Sequence, residues 1–85
     1  MEEFTDEQLK KLTLLMIYLL SWDENFKNKY PNGPLLRAWK GYDFKILDSL
    51  SEEGLISDSK RAKSVYLTEE GIKKAKEIQE KISGI

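Results

Sequence analysis

Residues 37–67, RAWKGYDFKILDSLSEEGLISDSKRAKSVYL, decide how the rest of the chain has to be arranged. Phe44, Ile46, Leu47 and Leu50 form the apolar set of a short helix that starts near Tyr42 or Asp43, with Lys45, Asp48, Ser49 and Glu52 facing out. Gly54 follows Glu53 as a left-handed terminator. Leu55 and Ile56 then open a strand, residues 57–62 form a turn, and Lys63 to Leu67 return. In that returning strand Val65 and Leu67 share one face and Tyr66 takes the other. The unit is therefore a lead-in segment, a helix and a two-stranded antiparallel β-hairpin whose tip carries Lys60, Arg61 and Lys63.

On either side lie helices whose apolar faces need this unit as a cover. Upstream, Thr5 and Gln8 make a capping box, with Asp6 and Glu7 in the first turn. The apolar residues that follow, Leu9, Leu12 and the run Leu14 to Leu20, begin as one stripe and end apolar on nearly every side. Such a helix is buried on more than one face, so it is either the centre of the domain or closed on its far side by a second copy. Ser21, Trp22, Asp23 and Glu24 read as a second capping box after a kink, or as the end of the first helix. If helix continues, Trp22, Phe26 and Tyr30 line one face, and PNGP at 31–34 ends it by about Lys29. Downstream, Thr68 caps a helix with Glu69 and Glu70 at its positive end. Its buried stripe is Ile72, Ala75, Ile78 and Ile82, opposite Lys73, Lys76, Glu77 and Glu80.

Composition sets the bounds. The 85 residues make one domain, 1–85, of a size at which folding buries roughly 60% of the unfolded surface. Hydrophobic residues are 40% and charged residues 34% of the chain, with a net charge of −1, so any attraction to a polyanion has to come from a local patch. The chain has no cysteine and no histidine, which removes disulfides, thiol chemistry, the usual zinc ligands and the usual neutral-pH base. No metal and no cofactor is expected. MEEFTDEQ is acidic where a secretory signal would be basic, and the run Leu14 to Leu20 is too short to span a bilayer, so the expectation is a cytoplasmic protein with no membrane partner.

The segment GLISDSKRAKSVYLTEEG, 54–71, resembles the recurrent ending of winged-helix transcription regulators. A closer resemblance, to the uncharacterised bacterial family called domain of unknown function 6429, rests on RAWKGYDF at 37–44. It continues through Leu47, Leu50, Gly54, Ile56, Lys63, Val65, Leu67, Glu70 and Gly71. These resemblances imply an α+β, winged-helix-like fold of three main helices with the hairpin, and no assigned chemistry. The stretch 23–36 is longer than the link the family resemblance implies, which makes its aromatic stripe particular to this chain.

Three functions compete. For DNA, the winged-helix resemblance implies the middle helix in the major groove, but its outer face offers Asp48 and Glu52 beside Lys45 and Ser49. The tip suits phosphates better, with Lys60, Arg61 and Lys63, and with Lys40 and Arg37 nearby. Three phosphate contacts would give a log–log salt slope of about −2.7, a weak and nonspecific attachment. For protein association, the over-apolar first helix, the stripe Trp22, Phe26 and Tyr30, and the group Arg37, Trp39 and Tyr42 have hot-spot composition. The competing packing role has Trp39 and Tyr42 covering the hairpin base and Arg37 paired with Asp43 or a C-terminal glutamate. For catalysis, the chain lacks both mass for a deep cleft and a phosphate-cradling glycine loop, so no enzyme is expected. The sequence therefore points to a homodimeric regulator-like interaction module, open to a further protein partner and with at most weak DNA contact.

Overall fold

The computed structural model describes residues 4–23, 35–58 and 62–83. Its elements run α1 (Asp6–Leu19), β1 (Trp22–Asp23), β2 (Leu36–Trp39), α2 (Phe44–Glu52), β3 (Ile56–Asp58), β4 (Ser64–Leu67) and α3 (Glu69–Ser83). The four strands form one antiparallel sheet in the order β1-β2-β4-β3. The class is α+β, as expected. The hairpin is β3 and β4, but it is half of a larger sheet rather than a free two-stranded unit. Leu36 to Trp39, read as a lead-in, pairs along the second edge of β4, with Arg37 opposite Tyr66 and Ala38 opposite Val65. An unpaired edge on β4 would leave backbone donors and acceptors to be satisfied elsewhere, and β2 satisfies them.

α1 begins as its capping box dictates: Thr5 Oγ1 accepts from the Gln8 N–H at 3.1 Å, and the Thr5 N–H donates to Gln8 Oε1 at 2.8 Å. It stops at Leu19, where the Ser21 hydroxyl donates to the Tyr18 carbonyl at 2.6 Å and the chain turns into β1. Trp22 is therefore a strand residue paired with Arg37, not the first member of a helical aromatic stripe. Its supposed companions Phe26 and Tyr30 lie outside the described residues. In the middle of the chain the Asp43 carboxylate caps α2 by accepting from the Lys45 N–H at 2.8 Å, and Gly54 at φ +75° ends it.

The core lies between the inner sheet face and the three helices. Leu14, Leu15 and Ile17 of α1 meet Leu47 and Leu50 of α2, Ala75 and Ile78 of α3, and Ala38, Ile56, Val65 and Leu67 of the sheet. Two residues expected in it are elsewhere. Phe44 is 75% exposed, because the first residue of α2 lies a turn before the buried pair Leu47 and Leu50. Ile82, in the last turn of α3, is left largely exposed as that helix runs past the core.

Candidate functional site

Three surfaces concentrate the residues with chemistry to offer. The first is on α1. Leu9, Leu12, Met16 and Leu19 are all exposed, between 36% and 51%, although the opposite side of the same helix supplies Leu14 and Ile17 to the core. Their spacing of three, four and three residues is that of a and d positions in a heptad, so they form one straight seam. The positions flanking that seam are Asp6, Gln8, Thr13, Leu15 and Leu20, of which Asp6 alone is charged. This resolves the helix that is apolar on nearly every side: one stripe is core and a second faces outward.

The second surface is the outer face of the sheet. The register puts Trp22, Arg37 and Tyr66 in one row across β1, β2 and β4, with Trp39 beside them on β2. The Trp22 and Trp39 rings lie 5.4 Å apart, tilted by 51°, and Trp39 is 65% exposed. The Arg37 guanidinium stands 5.2 Å over the Tyr66 ring and its Nε donates to Ser64 Oγ, which leaves Ser64 buried. Arg37 thus serves the sheet face, with Tyr66 and Ser64 of β4 among its partners. Tyr42 is not part of this group; it is half-buried and packs against the core.

The third is a cleft of about 520 Å³ between the start of α2 and the open end of the sheet, lined by Lys40, Phe44, Asp48, Asp58, Ala62 and Lys63. On its sheet side the Lys40 ammonium and the Asp58 carboxylate meet at 2.6 Å, with 13% and 16% of their side chains exposed. Lys40 also donates its backbone N–H to the Lys63 carbonyl, extending the β2 to β4 pairing by a residue. Nothing local in the sequence signals this ion pair, because its members are 18 residues apart.

Of the five cations named for nucleic acid, Lys40 and Lys63 line one cleft and Lys45 stands apart from them. Lys40 is committed to Asp58, Lys63 is exposed beside it, and Lys45 belongs to a separate depression with Asp6, Leu9, Asp43 and Ile46. Lys60 and Arg61 lie outside the described residues. A further ionic cluster joins α1 to α2: Lys10 Nζ bonds Glu53 at 2.7 Å, Glu7 at 2.8 Å and Ser49 Oγ at 3.3 Å. Those bonds, Glu53 first and then Glu7, hold the Lys10 ammonium above its ordinary pKa, and the bond from Lys10 holds the Glu7 carboxyl below its own.

Among the described residues no group of three metal-ligating side chains stands together, and no helix is long and apolar enough to cross a membrane. A 42-residue stretch is 45% identical to the uncharacterized protein y4hR of Sinorhizobium fredii, covering 48% of this chain and 57% of that protein. The match therefore spans little more than half the length of that relative. No solved structure matches the chain. The model of the family described as a domain of unknown function, DUF6429, matches residues 5–84, from the N-cap of α1 through the end of α3, and the chain belongs to that family.

Proposed function

We propose that this protein is a cytoplasmic, non-catalytic association module that works as a homodimer, with the α1 seam of one copy packed on that of another. The observation that carries this reading is the outward row Leu9, Leu12, Met16 and Leu19 at heptad spacing on a helix already buried on its other side. Exposed apolar rows of this kind mark association surfaces. Flanks with a single charge, Asp6 in the first turn, favour a second copy as the occupant, since identical chains bring identical flanks together and a row of like charges there would repel. The outer sheet face, with Trp39 and Arg37, offers a separate place for a further protein partner. Light scattering after size-exclusion at tens of micromolar tests the dimer: a mass near twice 9.9 kDa is expected, and a clean monomer overturns it.

A second reading is a sequence-specific DNA-binding regulator on a winged-helix-like frame. It is favoured by the order helix, strands, helix, hairpin, helix, with Lys63 at the returning strand of the hairpin. Against it, the exposed side of α2 carries Asp48 and Glu52, and Lys40 is held by Asp58. A gel-shift series on random and selected duplexes at low and moderate salt separates the two readings. Weak binding lost on moderate salt fits the association module, whereas tight, salt-resistant binding establishes the regulator. Replacing Lys60, Arg61 and Lys63 by Ala is expected to remove any residual binding.

A further inference from the structure

The cleft at the start of α2 has walls of opposite character. On the helix wall, Phe44 and Asp48 stand one turn apart on the same side, the ring 75% exposed and the carboxylate also exposed. The sheet wall is Lys63, Ala62 and the side chain of Lys40. Lys40 and Asp58 are paired with each other, so among the described lining residues the charges that remain to a ligand are the Asp48 carboxylate and the Lys63 ammonium, neither of which is in an ion pair with another described residue. A volume of about 520 Å³ is in the usual range for sites that hold small molecules.

From this arrangement we propose that the cleft binds an aromatic amino acid as its zwitterion. The ligand ring stacks on Phe44, its ammonium faces Asp48 and its carboxylate faces Lys63. A purely anionic aromatic would meet Asp48 without compensation, and a purely cationic one would meet Lys63; only a ligand carrying both charges satisfies both walls. The ring contact accounts for a phenylalanine left in water at the first position of a helix, where a polar residue would serve the helix equally well.

The test is a titration of the full-length, isotope-labelled protein with L-phenylalanine, followed by amide NMR. Saturable shifts confined to Lys40, Phe44, Asp48, Asp58, Ala62 and Lys63 are expected. L-phenylalaninamide, which lacks the carboxylate, and 3-phenylpropionate, which lacks the ammonium, are each expected to bind about tenfold more weakly, the loss of one charge-assisted contact. The single changes Asp48→Asn, Lys63→Gln and Phe44→Ser are each expected to cost a similar factor for L-phenylalanine. All three side chains are exposed, and a dispersed amide spectrum of each variant shows that the fold is kept. Absence of a saturable shift at ligand concentrations of tens of millimolar overturns the proposal. So does equal affinity for all three ligands, or an affinity that none of the three changes alters.

Discussion

Gly71 lies so close to Leu55 that a β-carbon built on it would fall 1.9 Å from the Leu55 carbonyl oxygen. The first turn of α3 crosses the corner between α2 and β3 with no room for a side chain, and the obstacle is backbone, which cannot swing away. Gly71→Ala tests this against propensity, because alanine in a helix is favoured over glycine by about 1 kcal/mol. Here the overlap decides the sign, and a net loss of about 1–3 kcal/mol is expected. Urea denaturation reads it as a lower midpoint at unchanged slope. A raised midpoint would mean that α3 does not pass over Leu55 at this distance.

Thr68 is the second part of the same corner. Its hydroxyl donates to the Gly54 carbonyl at 2.6 Å and accepts from the Gly71 N–H at 3.0 Å, while its own N–H donates to the Leu55 carbonyl. One side chain caps α3 and also satisfies the carbonyl of the glycine that ends α2. Thr68→Ala is expected to lose about 1–2 kcal/mol, and Thr68→Ser to keep most of it, since the hydroxyl rather than the methyl makes both bonds. Equal losses in the two variants would assign the effect to packing.

The Lys10 cluster predicts a pH dependence whose sign follows from the two shifts. Glu7 is held below its ordinary value of 4.5, so its contribution is complete above that value and is lost as pH falls through the lowered one. Lys10 is held above its ordinary value of 10.5, so its contribution is complete below 10.5 and is lost as pH rises through the raised one. Between those limits the link from α1 to α2 is constant. Thermal melts of the wild type and Lys10→Met are expected to differ by a small, salt-sensitive amount at pH 7, and the gap should close as pH drops below 4.5. A gap that is unchanged in acid would show that Lys10 acts through its methylene stem instead.

Elements whose signals are local were legible in the sequence. The capping box of Thr5 and Gln8, the terminator Gly54, the cap Thr68 and the facing of Val65 and Leu67 against Tyr66 each depend on neighbours within a few residues, and each stands where the residues put it. What escaped depends on pairing across the chain. Leu36 to Trp39 is only four residues long, and its status as a strand is fixed by β4, more than twenty residues later. The aromatic spacing from Trp22 onward fits a helix, yet Ser21 turns the chain back at Tyr18 and hands Trp22 to the sheet. Spacing groups Trp22 with Phe26 and Tyr30, yet the register sets it beside Arg37 and Trp39 on one sheet face, whereas Tyr42, close to those two in sequence, turns inward because the chain has by then left the strand. The cleft was illegible for the same reason: Phe44 has the spacing of a core residue, and only the position of the sheet end relative to α2 leaves it outside.

The outward row on α1 supplies the last prediction, in which oligomeric state and stability move together. Leu12 lies in the middle of the seam and is 36% exposed, whereas Leu14, two residues on, is 1% exposed and belongs to the core. Leu12→Glu therefore places a charge in the proposed dimer contact without entering the interior of the chain. In the wild type, association stabilises the folded state by mass action, so the melting temperature is expected to rise with protein concentration. In the variant the mass should fall to that of one chain and the melting temperature should lose its concentration dependence, with secondary structure unchanged by circular dichroism. Leu14→Glu is the control, since burying an unpaired carboxylate among Leu50, Val65 and their neighbours should unfold the chain altogether. A wild type whose melting temperature is flat across a hundredfold range of concentration would remove the second copy from α1 and leave the seam to a different protein.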